Sequence, residues 1–107
     1  MTIIEFDRKF PNSQIALIGN KFKTVYDFVK DFSRKNPGLR VNLAKRRVVL
    51  PNGSVVVPCV PSSLDTPGQL FDAAFVYGPI QDTDELDLIL FSRVKNLDNV
   101  YTIKELK

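Results

Sequence analysis

Asp82, Asp84, Glu85 and Asp87 crowd one short stretch of this chain. Carboxylates at that density are the raw material of a magnesium or calcium site. Their spacing lacks the glycine and the closing glutamate of a calcium loop. The same acids suit the start of a helix instead. Asp82 stands where an N-cap would, Glu85 at the capping-box position, and negative charge is favoured at the positive end of the helix dipole. That reading accounts for them without an ion, so we expect neither a metal nor a cofactor.

Other catalytic chemistry is sparsely supplied. The 107 residues contain no histidine and one cysteine. The commonest general base is therefore missing, and so is any Cys-His or Ser-His nucleophile pair. Zinc needs several Cys or His ligands, and Cys59 is alone. Set among Val57, Pro58 and Val60, it reads as a small buried thiol. A single cysteine closes no internal disulfide, which fits a reducing cytoplasm. The expectation is a protein that is not an enzyme.

The strongest binding candidates are basic. Lys45-Arg46-Arg47, joined by Arg40, Arg34 and Lys35, can contact phosphates or an acidic protein surface. No aromatic residue interleaves with them in sequence, so base stacking is not indicated. A strand edge charged against aggregation is the competing explanation. The net charge of +3 conceals a strong polarity. Between Phe32 and Leu64 there are six cations and no acid, and between Asp65 and Ser92 six acids and no cation. Such polarity serves a charged partner or pairing between copies of the chain, a homo-oligomer.

The elements that position these residues follow from periodicity. Thr2–Phe6 reads as a short strand and Gln14–Ile18 as a buried one. Residues 21–35 are the clearest helix, with Phe22, Val25, Tyr26, Val29 and Phe32 on one face, Asn20 as N-cap, and Asn36-Pro37-Gly38 as the stop. Leu39–Leu43 reads as extended. A hairpin spans about 46–57, with arms Arg46–Leu50 and Ser54–Val57 around Pro51-Asn52-Gly53. Pro58 has no N–H to donate, which places its arm at an edge or a bulge. Pro61–Gly68 reads as a loop, and Phe71–Tyr77 as a buried strand ended by Gly78-Pro79. A second helix covers about 83–96, with Leu86, Ile89, Leu90, Val94 and Leu97 on its apolar face. LDLILF alone also fits a strand; the cap and the spacing favour helix. Leu97-Asp98-Asn99 turns the chain into a last strand, Val100–Ile103. Together these predict a single α/β domain over 1–107. It has layered architecture, a mostly parallel central sheet, an added antiparallel hairpin and two main helices.

This order of elements resembles part of the ATPase core of phage large terminases and related helicase-like P-loop proteins. The residues that carry the resemblance are Pro51-Asn52-Gly53-Ser54, Ser62-Ser63-Leu64-Asp65, Gly68 and the strand Phe71–Val76, within roughly residues 14–104. The departures are specific. The phosphate loop GxxxxGK[ST] is absent; Gly19-Asn20-Lys21 and Lys23-Thr24 match only its tail. The two acids that follow the strand in those motors are replaced by Tyr77-Gly78. The resemblance therefore implies a reduced relative without nucleotide chemistry.

No apolar run approaches the roughly 20 residues of a membrane span, and the first residues lack the basic-then-apolar order of a secretion signal. The expected function is that of a non-enzymatic protein-interaction module. It is of the kind that phages and other viruses use to bind or inhibit a host or viral protein, and it would act in the cytoplasm. The alternative is a nucleic-acid-binding accessory protein using the basic segment 34–47. Without a phosphate loop or magnesium-binding acids, nothing in the chain stabilises the charge of a phosphoryl-transfer transition state. We expect phosphate release from ATP and GTP to stay at the buffer rate, with or without DNA. Turnover that disappears in Lys21→Ala would overturn this.

Overall fold

A computed structural model of the chain describes residues 1–42, 44–61, 70–78, 80 and 83–103. The chain begins with a helix, α1 (Ile3–Lys9), where a strand was expected. Thr2 and Glu5 form a reciprocal capping box, which supplies acceptors for two of the donors a helix start leaves open. Ile3 and Phe6 point into the core from its inner side. The β-branched pair Ile3-Ile4 suggests a strand, but the i, i+3 spacing of Ile3 and Phe6 and the cap prevail.

The remaining elements are β1 (Gln14–Ile18), α2 (Phe22–Lys35), β2 (Arg40–Asn42), β3 (Arg47–Val49), β4 (Val55–Cys59), β5 (Ala73–Tyr77), α3 (Thr83–Arg93) and β6 (Val100–Ile103). A short 3-10 turn at Leu97–Asn99 precedes β6. One six-stranded sheet runs β2-β3-β4-β1-β5-β6. Strand β1 lies parallel to both β4 and β5, and β5 lies parallel to β6. The antiparallel pairings are those of β3 with β2 and with β4. This is the α/β, mostly parallel sheet with an antiparallel hairpin that the sequence predicts.

Alternation along β1 builds two cores. Ile15 and Leu17 face α1 and α2, together with Phe6, Val25, Phe28, Val29, Val48, Val56 and Phe75. Ala16 and Ile18 face α3, together with Cys59, Ala74, Val76, Leu86, Leu90 and Val94. Central strands covered on both faces need apolar residues throughout, and AAFVY of β5 meets that demand: Ala73 to Val76 are all buried. The stretch that ends in Tyr77-Gly78 is sheet core. Phe75 packs 4.9 Å from the Tyr101 ring and edge-on to Phe6 at 6.3 Å.

Several expected details shift. Helix α2 takes Lys21, not Asn20, as its N-cap, with no side-chain cap bond. Its C-terminus is closed by Asn36, whose side-chain and backbone N–H groups both donate to the Phe32 carbonyl. Helix α3 stops at Arg93. Leu97, expected on its apolar face, is instead exposed at the 3-10 turn. Phe71 lies before β5 and forms an isolated bridge with Val94. The expected cap Asp82, Leu43 and most of the 61–68 loop lie outside the described residues, as do the side chains of Glu85 and Ile89.

Pro58 is the most informative correction. Its strand is not an edge: β4 lies between β3 and β1. Val55 N–H donates to Ser13 and the Cys59 carbonyl accepts from Gly19 N–H, so the odd-numbered residues of β4 bond toward β1. Pro58 turns its missing donor toward β3. The paired positions there end at Val56, so no ladder bond is lost.

The β3–β4 turn is fixed from outside by a buried carboxylate. Asp7, only 1% exposed, accepts hydrogen bonds from the backbone N–H groups of Asn52 and Ser54 at 3.0 and 3.2 Å. Ser54 in turn accepts from Ser13 N–H at 3.1 Å. Gly53 is required in this turn, because its φ of 88° is left-handed and a Cβ there would collide with the Asn12 side chain. Replacing Asp7 by Ala strands both N–H groups. We expect a loss of about 1–3 kcal/mol for each donor left without an acceptor. Asp7→Asn keeps one carbonyl acceptor and should cost less. Denaturant unfolding of the two variants measures both, and equal stability of Asp7→Ala and the parent would contradict this account of the turn.

Candidate functional site

The six basic residues of segment 34–47 do not form one surface. Strands β1, β2, β4, β5 and β6 all point the same way, so their C-terminal ends share one edge of the sheet. The β2–β3 turn and the N-terminus of α2 lie at that edge. Arg34 and Lys35 end α2 and Arg40 begins β2, which places these three at the opposite edge. Lys45, Arg46 and Arg47 are at the C-terminal edge.

The two groups also differ in pairing. Asp31 holds Arg34 at 3.3 Å and Lys35 at 3.1 Å. The single Asp31 carboxylate answers half of their charge within one helix turn, although such exposed pairs contribute little stability. Lys35 also borders a cavity of about 420 Å³ between α1 and the end of α2, walled by Ile3, Ile4, Phe28, Phe32 and Ile103. Lys45, Arg46 and Arg47 are exposed and take part in no ion pair among the described residues. Arg40 projects from the outermost strand, β2, whose three residues are all exposed.

The local conformation of the turn is unusual. Arg46 has a φ of 53°, the left-handed region that costs a side-chain-bearing residue roughly 1–2 kcal/mol. Asn42 Oδ1 braces the turn by accepting from Lys45 N–H at 3.1 Å. The Arg46 guanidinium lies over the Phe22 ring, 4.6 Å from its centroid. A contact of this kind contributes about 0.5–1 kcal/mol at an exposed site and offsets part of the strain. Phe22 is stacked on Tyr26 at 5.8 Å. The fold thus supplies the aromatic neighbours that the linear order of the basic segment lacks. Lys21 and Lys23, both exposed, flank Phe22 at the same edge, and Lys23 is paired with Asp27 at 3.3 Å. The sequence signal for this meeting of turn and helix was weak. Phe22 sits at the first position of the helix, where it is only half-buried and half available to a distant residue.

The other candidates lie elsewhere in the fold. Tyr77 closes the core edge against Phe28, with ring centroids 4.8 Å apart. Asp84 and Asp87 are exposed on α3. Among the described residues no group of three or more His, Cys, Asp or Glu side chains is placed to hold a metal ion, and no helix is long and apolar enough to cross a membrane. Compared with known protein families and with curated protein sequences, the chain matches none.

Cys59 is buried in the core beneath α3. Desolvation dominates its titration and pushes the thiol up to about 12, against a smaller lowering by a backbone hydrogen bond. A reactive cysteine needs thiolate, and this one stays protonated. The folded pKa is raised, so the stability tied to the neutral thiol is complete below the unfolded thiol's ordinary value. It is lost as pH rises from there toward about 12. We expect a disulfide reagent at pH 8 to leave the folded protein unmodified and to react with one thiol per chain once denaturant is added. Rapid labelling of the native protein would contradict this burial.

Proposed function

We propose that this chain is a non-enzymatic binding module that engages an acidic partner protein through the C-terminal edge of its sheet. The observation that carries the reading is the β2–β3 turn. Lys45, Arg46 and Arg47 are exposed and unpaired among the described residues, and the backbone at Arg46 is held in a costly conformation. Strain of this kind persists where the surroundings over-determine it, and it clusters at ligand clamps and recognition sites. Here the brace is the Arg46–Phe22 contact. It holds one guanidinium in place in advance and lowers the ordering cost of binding. Arginine is also the cation best suited to bidentate carboxylate recognition.

A protein is favoured over a nucleic acid because the aromatic faces are engaged. Phe22 is covered by Arg46 and stacked with Tyr26, so its ring beside the turn is already engaged and is poorly placed to stack on a base. A second reading, an accessory protein that binds nucleic acid through segment 34–47, draws support from the start of α2. Its N-cap residue Lys21 makes no side-chain cap bond, and a helix start with a lysine at its cap suits a phosphate. The sequence resemblance to terminase and helicase-like cores supports placing the module among reduced, non-catalytic relatives of those motors, in a phage or other viral setting.

The double reversal Arg46→Glu with Arg47→Glu tests the proposal. Exposed charges contribute little to folding, and loss of the Arg46–Phe22 contact costs about 0.5–1 kcal/mol, so the melting temperature should fall by a few degrees and the double variant should stay folded. Binding to an acidic peptide should weaken, chiefly through slower association. An oligonucleotide titrated across salt concentrations separates the second reading. Engagement of three phosphates gives a log–log salt slope of roughly −2 to −3, and the reversal should flatten it. A folded double variant that binds both probes as the parent does would defeat both readings.

A further inference from the structure

The cavity between α1 and the end of α2 is the open margin of the larger core. Ile3 and Phe28 are buried in that core, and Ile4, Phe32 and Ile103 pack against it while only partly buried. The surface these side chains leave uncovered lines the cavity, whose volume is about 420 Å³. Its lining comes from α1, α2 and the end of β6, so three elements packed on one core hold its shape. Sites for small ligands are concave and mostly apolar, of about 300–1,000 Å³, with a few polar groups that fix orientation.

Charge decides which kind of molecule suits it. Lys35 borders the cavity, and Arg34 precedes it in the same helix turn. Both pair with the one carboxylate of Asp31, at 3.1 and 3.3 Å. Two cations share one acid, so a positive charge is left over at this end. An ammonium group carries three donors, and the contact of Lys35 with Asp31 Oδ2 leaves room for a second acceptor. On the α1 side the cavity is bordered by Thr2, whose N–H donates to the Glu5 carboxylate at 3.3 Å. The surroundings are thus negative at the start of α1 and positive at the end of α2, which gives a bound anion one orientation. We infer that the cavity binds a small amphipathic monoanion of the fatty-carboxylate class. Its apolar body lies on Ile3, Ile4, Phe28, Phe32 and Ile103, and its head group meets Lys35. None of these residues belongs to the β2–β3 turn, and the inference stands or falls without the binding reading given above.

Decanoate at neutral pH, titrated into the full chain and followed by backbone amide chemical shifts, reads the binding. The expected result is saturation at one ligand per chain, with the shifts centred on α1 and on residues 28–36. Each methylene withdrawn from water favours binding about fourfold, so octanoate should bind roughly tenfold more weakly. Ile4→Trp places an indole in the cavity from a partly buried position and should weaken binding at least tenfold. Lys35→Met keeps the stem, removes the charge and leaves the fold intact, because the position is exposed. It should weaken decanoate about two- to fivefold and leave decanol unchanged. Absence of saturation at millimolar decanoate overturns the inference. So do shifts centred on the exposed Leu88 and Phe91 of α3, or a Lys35→Met variant that binds decanoate as the parent does. Residues 104–107 follow Ile103 directly in the chain. If their removal strengthens decanoate binding tenfold, the cavity belongs to the chain's own end and the inference falls.

Discussion

The turn that joins β3 to β4 is held by a carboxylate from elsewhere in the chain. Asp7 is buried, accepts two backbone N–H groups of that turn and belongs to the first helix. A buried charge is tolerable only when its oxygens are occupied by donors. The reverse holds here too, since the turn's inward N–H groups have no strand partner and need an acceptor. Each side satisfies the other. The consequence runs outward: α1 is fixed over the sheet, Phe6 is set against Phe75 and Tyr101, and β4 is delivered in register to β1. Ser13 and Ser54 complete the junction by bonding across the same gap.

From that register follows the layout of the charged edges. Because β4 pairs with β1, strand β3 and then β2 are stacked outward from it, and their connecting turn lands at the C-terminal edge beside the start of α2. A basic segment that is continuous in sequence is thereby cut in two. Arg34 and Lys35 are placed with Asp31, which pairs with both, while Lys45, Arg46 and Arg47 are placed where no described acid pairs with them. Composition measures the total charge of the segment, and topology decides that its two ends face opposite ways.

What could be read in the sequence followed from how locally each feature is encoded. Helix α2 was legible because five apolar residues at helical spacing have no strand-like alternative, and β5 because AAFVY is a short apolar run ended by Gly78-Pro79, the pattern of a buried strand. Helix α1 was misread, since Ile3-Ile4 invited a strand, although Thr2 and Glu5 carry a capping box and Ile3 and Phe6 a helical spacing. The interior position of β4 was hidden by Pro58. Which neighbour would have needed its missing N–H is a question of pairing, and pairing is not local. The meeting of Arg46 with Phe22 was obscured for the same reason. The residues were noticed, but their neighbours are set by strand order.

The central place of β1 has a further consequence, in time rather than in space. Both of its partners lie downstream: Ile15 pairs with Val56 and with Ala73. A nascent chain emerging from its N-terminus exposes QIALI, an apolar strand, long before either neighbour exists. Closing those contacts requires ordering most of the chain first, an entropic demand that slows folding. Helices α1 and α2 are the local structures able to form in the interval. Their apolar faces are the natural temporary shelter for β1, so the face of the sheet they cover is the one positioned to assemble before the other.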